Sequence, residues 1–406
     1  MTDKSALMEE NFKKLSDYSL QFNRWFLKPI GAWPSSATTS RLERIVSFVL
    51  IIFCYSSILF TVVPCVLYIV LEDEDVYLKL RTIGPLAHWS VGGVNYTLLL
   101  LGSKEIRDCV QHIQTDWKIV TRDSDLQVML KKAKVGRYVA VFCAAFMQGG
   151  VLCNSIAAAL TALTTDIGNK SNSVPPLPCT PYKNLLPVDT NPTYEYVLVS
   201  QFVSGFIVSS SAVGPYGLAA VFAAHAYGQL SIVMAWITEF VNDWKDRKRN
   251  VSYNKIGAIV EHHLRVLSFI DRMESLMSRI CFMELFKCTL NICMIGYYIL
   301  VEWADHDVQN LTTYFMILGS MSLNIFIVCY IGEVLTEQCK RVGEVTYMTN
   351  WYYLPEKRVL ELSLIIVRSS LATKITAGKL FHMSIYTYGQ VMKTAFAYLN
   401  LLRQIT

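Results

Sequence analysis

Charge is what this chain has little of. Lys, Arg, Asp and Glu make up 17% of its 406 residues, against about a quarter in an ordinary soluble domain. With 53% hydrophobic residues and a mean hydropathy of +0.34, the deficit points to a chain that lives in lipid. Catalytic vocabulary is missing as well. There is no phosphate-binding glycine loop, no HExxH and no Ser-His-Asp set, so neither an enzyme nor a cofactor is indicated. The eleven cysteines show no metal-ligand spacing. Most lie in apolar stretches, where a thiol behaves as a small hydrophobe. His262-His263 has no further ligand at suitable spacing and reads as a surface pair. No internal repeat is found, which argues against a repeat-built transporter. Residues 1–44 are polar and carry seven Lys/Arg. No cleavable signal peptide is expected, and the first apolar helix should act as the insertion signal.

What the chain does have is seven apolar stretches: Ile45–Leu71, Ile83–Leu101, Val135–Leu160, Tyr196–Leu230, Phe282–Val301, Thr312–Val334 and Ile375–Leu402. Each is long enough to cross a bilayer as a helix, which needs about 20 residues. The fold class is therefore an all-α membrane protein with seven transmembrane helices. Of the 37 Lys and Arg, 28 fall on one side of these stretches and four (Lys79, Arg81, Lys170, Lys183) on the other. Cytoplasmic loops retain basic residues, so the N-terminus is expected inside and the C-terminus outside. A G-protein-coupled receptor has the reverse orientation. The net charge of +5 comes from the inner loops and does not signal nucleic-acid binding. The 22 Tyr and 8 Trp suit interfacial belts.

The chain divides into a cytoplasmic N-terminal segment (1–44), helices one to four (45–239), helices five and six with an inner anchor region (240–371), and the seventh helix (372–406). The inner segments 102–134 and 240–281 and the amphipathic stretch Glu344–Arg368 are too charged to span. Their helical periodicity predicts a cytoplasmic helical base. The outer loop 161–195 holds six of the twelve prolines and reads as a lid or cover. It also carries a glycosylation sequon at Asn169, and the next outer loop carries one at Asn310. Sequons at Asn95 and Asn250 fall in the membrane and inside, where they should be silent. Cys179, in the outer loop, and Cys153, near the outer end of the third helix, are candidates for a disulfide. The acidic turns at Glu72–Asp75 and at Glu302, Asp305 and Asp307 read as solvated loops.

The last helix is amphipathic in an unusual way. Lys393, Ala397, Asn400 and Gln404 lie at i, i+4, i+7 and i+11, which places small and polar groups on one face. Leu401 and Ile405 run beside them. Polar groups at membrane depth are costly, and that cost usually marks function.

Particular residues then carry a resemblance. Thr346-Tyr-Met-Thr-Asn-Trp351-Tyr352, Arg368-Ser369, Ile375-Thr-Ala-Gly378-Lys379 and Val391-Met-Lys393-Thr394-Ala-Phe-Ala-Tyr398 together resemble the C-terminal signature of insect odorant receptors. Leu27-Lys-Pro29-Ile-Gly31-Ala-Trp33-Pro34 resembles that family's entry motif. Ala372, Tyr388 and Ala397 are mild departures, standing where the family often has Pro, Phe and Ser. The resemblance implies an odorant-gated, non-selective cation channel of four subunits in the sensory-neuron plasma membrane. The chain would be a tuning subunit assembled with a shared co-receptor, because its inner loop 240–281 is much shorter than the co-receptor's. The resemblance places the hydrophobic gate at Leu401 with a polar ring at Gln404. It places a pocket for a small hydrophobic volatile in the outer halves of helices two, three, four and six. The candidates there are Trp89 and Gly93; Met147, Gly150, Val151 and Asn154; Phe202, Gly205, Phe206 and Ser209; and Tyr314, Phe315 and Leu318. A taste-type homomeric channel is the rival reading, and Trp351-Tyr352 and Lys393-Thr394 argue against it.

Overall fold

The computed structural model describes the chain apart from residues 1, 37–38, 75, 165–176, 189–192, 247–254, 306–307, 372 and 406. Side chains are also outside the description at 2–13, 76–77, 80–81, 153–154, 157–164, 300–305, 308–310 and 402–405. The described residues form ten α-helices: α1 (Thr2–Leu27), α2 (Arg41–Leu71), α3 (Val76–Leu101), α4 (Ser103–Ile119), α5 (Asp123–Thr164), α6 (Thr193–Lys245), α7 (Lys255–Asp305), α8 (Val308–Met348), α9 (Glu356–Ser370) and α10 (Ile385–Ile405). A short 3-10 turn, Trp351–Tyr353, and a two-strand hairpin, β1 (Thr376–Ala377) and β2 (Phe381–His382), complete the fold.

By length and composition, α2, α5, α6, α7 and α8 qualify as membrane spans. The second and seventh apolar stretches are helical too. At 26 and 21 residues, α3 and α10 are about 39 and 31 Å long, enough for a hydrocarbon core of about 30 Å. The chain is an all-α membrane protein.

Helix α6 is the axis of the molecule. Its 53 residues extend about 80 Å, more than twice the hydrocarbon thickness, and it packs on α1, α2, α3, α5, α7 and α8. Between Ser204 and Gly228 its sequence is rich in Ser, Ala and Gly, which lets neighbouring helices approach closely. A Cβ at Gly214 would lie 2.3 Å from Leu27, and one at Gly136 of α5 would lie 2.8 Å from Ala224.

The charged segments form helices, as their period predicts. Helices α5, α6, α7 and α8 run on beyond bilayer length, and α4 and α9 pack against them. Asp116 is an electrostatic centre among them. This carboxylate is 4% exposed and pairs with Arg265 at 2.5 Å, His225 at 2.9 Å and His112 at 3.3 Å. Burial alone would raise its pKa. The hydrogen bonds from His112 and His225 outweigh that and hold the carboxyl well below the usual range.

Three expectations need correction, and one segment read only as polar gains a structure. The polar N-terminal segment contains α1, which buries Ser16, Leu20, Asn23 and Leu27 at helical spacing and packs on α4, α5 and α6. Its polarity hid a core-facing stripe. The seventh helix does not start at Ile375. Gly378 and Lys379 adopt positive φ (61° and 59°), which turns the chain into the β1–β2 hairpin, and α10 begins only at Ile385. Cys179 pairs with Cys65 of α2, not with Cys153. The outer segment lies on the end of α2, where Tyr182 N donates to Pro64 O at 3.0 Å. Gln201 holds the Cys179 backbone, accepting from its N–H at 3.1 Å and donating to its carbonyl at 2.6 Å. His263 is not on the surface but 2% exposed within α7. Among the described residues no group of three or more His, Cys, Asp or Glu is arranged for a metal.

Smaller points follow from the same geometry. Asn310 falls in the first turn of α8 rather than in a connecting loop, and Asn169 lies outside the described residues. Asn95 is wholly buried, so its sequon is out of reach. Within the acidic turn, Glu74 takes a hydrogen bond from Tyr68 and lies 3.6 Å from Lys183.

Candidate functional site

Helix α10 is held from one side. Tyr388, Val391, Met392, Ala395 and Leu399 face α7 and α8. Tyr388 Oη and Ser322 Oγ lie 2.8 Å apart, and the Tyr388 ring meets Phe326 edge-on at 5.4 Å. Gly296 of α7 lets Leu399 come close, because a Cβ there would lie 3.0 Å from the leucine.

The opposite side has no cover from the described residues of its own chain. Gln390, Lys393, Ala397 and Asn400 are all exposed, as is Leu401 at 52%. Lys393 makes no ion pair or hydrogen bond among the described residues. This is the face that the spacing of Lys393, Ala397 and Asn400 marks out. Gln404 and Ile405 continue the helix, with side chains outside the description.

The hairpin before α10 is anchored to α7. Gly378 N donates to Ser278 O at 2.8 Å, Lys379 N donates to Ser278 Oγ at 3.1 Å, and Thr376 bonds to both Ser278 and Glu274. A Cβ at Gly378 would lie 2.8 Å from Phe282, so glycine is required by space as well as by φ.

The candidate pocket residues do not all converge. Trp89 is 8% exposed and donates through Nε1 to Ser204 Oγ at 2.9 Å, and Ser204 is also 2.8 Å from Thr61. Gly205 abuts the Trp89 ring, and Ser209 is buried one turn further along α6. Gly93 backs onto Ile58 of α2. Met147 and Leu318 pack against the main core, while Phe202 and Val151 are half-buried. Gly150 has open space where a Cβ would be. Phe206 and Phe315 are 42% and 49% exposed and turn away from the chain's own interior. Tyr314 joins a separate cluster with Tyr298, ring centres 5.8 Å apart, together with Met294, Tyr297, Ile83 and Leu399. The side chain of Asn154 lies outside the description.

Sequence reasoning missed a buried ionic group. Glu284 and Lys287 of α7 are each 4% exposed and 2.7 Å apart, at membrane depth. Glu284 also accepts from Asn95 Nδ2 of α3 and, at 3.0 Å, from Tyr216 of α6. The signal was present: an acidic and a basic residue at i, i+3 inside an otherwise apolar stretch.

Residues 80–396 match the family model described as "7tm Odorant receptor". The chain belongs to this odorant receptor family. Odorant receptor 13a of Drosophila melanogaster is 22% identical over 240 residues, covering 55% of this chain and 57% of that protein. Odorant receptor 82a of the same species is 27% identical over 151 residues, with 37% and 38% covered. Odorant receptor 10 of Aedes albopictus is 23% identical over 148 residues, with 36% and 38% covered. The chain thus spans between 38% and 57% of these relatives' length. In fold, the receptor is similar to the olfactory receptor OR5 from Machilis hrabei. That match has a TM-score of 0.79 at 14% identity and covers 98% of this chain and 100% of the other. The same protein in complex with eugenol matches at 0.77 and 12% identity, with both chains fully covered.

Proposed function

We propose that this receptor is the ligand-tuning subunit of an odorant-gated, non-selective cation channel, working with a shared co-receptor in a heterotetramer. The observation that carries this is the outward face of α10. Lys393 and Asn400 at membrane depth would be costly against lipid, and among the described residues no group of the same chain covers them. They are accommodated if α10 faces a water-filled pore shared with other subunits. Leu401 then forms the apolar constriction, with Ile405 and the polar Gln404 beside it, and a narrow apolar ring stops ions by dewetting.

The basic inner segments support a cytoplasmic N-terminus and an outer C-terminus, which puts the Leu401 end of α10 at the outer mouth. A small hydrophobic volatile binds in the outer halves of α3, α5, α6 and α8, around Trp89, Gly205 and Ser209. Burial there contributes about 0.8 kcal/mol per CH₂, which gives graded selectivity. The ligand opens the channel to the extent that it binds the open state better than the closed one. The setting is the plasma membrane of a sensory neuron, with Asn169 and Asn310 as the sequons on the outer side.

The test is current in cells expressing the chain alone and with the co-receptor, against a broad panel of volatiles, with Leu401→Ala in parallel. Odorant-evoked cation current only with the co-receptor, and altered by the substitution, is the expected result. Current from the chain alone would make it a homomeric channel. Silence in both cases, with surface delivery verified, would overturn the channel reading.

A further inference from the structure

Helices α3 and α7 run antiparallel and meet along a ladder of polar groups. At the inner rung, Asn95 bonds to Glu284. One step outward, His88 lies within electrostatic reach of Lys287. At the outer rung, a Cβ on Gly84 would sit 3.7 Å from Asn291 Oδ1 and touch nothing else within 4 Å. The rungs are one or two helical turns apart on each helix, so they form one continuous seam.

The seam is not fully satisfied. Asn291 is 2% exposed, and among the described residues its Nδ2 has no acceptor. His88 Nδ1 and Asn95 Oδ1 are unpaired as well. The only partner of Lys287 among the described residues is Glu284, which leaves ammonium N–H groups over. In a membrane interior no bulk water is at hand to satisfy such groups. At the outermost rung the unmet group is a donor, the Asn291 amide, with spare Lys287 N–H groups one rung further in. Net charge is cancelled by Glu284. Such a seam favours a neutral oxygen acceptor over a carboxylate or a hydrocarbon.

Just beyond Asn291 on the same face of α7 lie Met294 and Tyr298, packed with Tyr314 and with Leu399 of α10. They offer an apolar and aromatic wall two residues from Leu401. We propose that the α3–α7 seam is a hydrogen-bonding subsite for neutral oxygen-bearing volatiles. The carbonyl oxygen of a ketone or ester accepts from Asn291 Nδ2, and its hydrocarbon chain lies against the Met294–Tyr298–Tyr314 wall. This rests on the odorant-gated reading above and adds to it a second subsite, on α3 and α7 and separate from the pocket around Trp89, with the chemical class of ligand it takes. An unmet buried donor discriminates sharply against ligands lacking the acceptor, because they leave it unpaired.

The experiment compares methyl ketones with 1-alkenes of equal carbon number in cells expressing this receptor with its co-receptor. The wild type should respond to ketones at least about tenfold more sensitively, the size of one recovered hydrogen bond. Asn291→Leu should bring the two half-maximal concentrations together by weakening the ketone response while leaving the alkene response in place. Asn291→Met, which also removes the donor while filling the space, should do the same and serves if the leucine variant fails to reach the surface. Gly84→Val, filling the space beside Asn291, should raise the ketone concentration required. A ketone preference that survives in surface-delivered Asn291 variants overturns the proposal, as does a wild type that responds equally to alkenes. Silence to every compound would instead bring down the channel reading, and this subsite with it.

Discussion

Helices α2 and α10 both lie at the edge of the chain and both leave one side uncovered, yet the uncovered sides differ in kind. From Ile45 to Leu71 the exposed residues of α2 are apolar apart from Ser56. Phe48, Phe53, Phe60 and Val70 are typical, at 42% to 70% exposure. On α10 the uncovered side mixes Gln390, Lys393, Thr394 and Asn400 with Phe396, Tyr398 and Leu401. A hydrocarbon solvent accepts the first surface and penalises the second. Exposure in a single membrane chain is therefore two different observations, and side-chain polarity separates them. One surface meets lipid; the other needs water or another subunit.

The largest effect is expected where a charge is satisfied by its own chain. Replacing Asp116 with Asn leaves Arg265 and two histidines without their carboxylate. Breaking such a buried pair costs about 3–5 kcal/mol. Because the folded carboxyl is held below its ordinary range, its stabilisation is complete at neutral pH and is lost as pH falls through and below that range. Thermal unfolding in detergent should show Asp116→Asn clearly weaker at pH 7, with the gap to wild type narrowing below about pH 4. A pH-independent gap would remove Asp116 from that electrostatic centre.

Next comes a direct attempt to break the contrast between the edge helices. Phe53→Lys puts on α2 what α10 carries naturally. A lysine at the centre of a lipid-facing helix costs about 2.5–3.5 kcal/mol on insertion scales. Surface delivery, read by an external tag, should fall steeply for Phe53→Lys and hold for Lys393→Leu. Equal delivery of both would mean the two faces share one environment.

The hairpin that starts α10 gives a smaller loss. Gly378→Ala imposes a side chain at φ +61° against Phe282. A residue held in such a conformation costs about 1–3 kcal/mol. Lower thermal stability and altered gating should appear together, because the hairpin ties α10 to Ser278 of α7. Normal gating in a destabilised variant would make the hairpin a structural fastener only.

The finest test sharpens the comparison without touching stability. Lys393→Glu reverses a charge on the uncovered side of α10, the side proposed to face a pore. The reversal potential with calcium outside should shift toward greater divalent permeability, at unchanged surface delivery. An unmoved reversal potential would place Lys393 against another subunit instead of water.

Much of this was legible in the sequence because its causes are local or solvent-driven. Apolar run length marked the stretches that become α2, α3, α5, α6, α7, α8 and α10, and charge period marked the inner extensions. The spacing of Lys393, Ala397 and Asn400 named a face that the fold leaves open. What escaped has long-range causes. The core-facing stripe of α1 is visible only once α6 supplies its partner. Cys179 chose Cys65 because Tyr182 and Gln201 hold the outer segment against α2, and no spacing rule encodes that. Phe206 and Phe315 have the right residue type and depth for a pocket but the wrong rotation about their helix axes.

Composition and pattern alone determined that this protein crosses the membrane as helices, which side its basic segments favour, and which family it resembles. Those properties follow from transfer free energies summed over consecutive residues, and consecutive residues are what a sequence records. The tertiary structure alone decided which polar groups are paired, which are stranded and which face outward. Glu284, Lys287 and Asn291 acquire meaning from Asn95, His88 and Gly84 some 190 to 210 positions away. Pairing depends on distances across the fold, and those exist only after packing has fixed the rotation and depth of every helix.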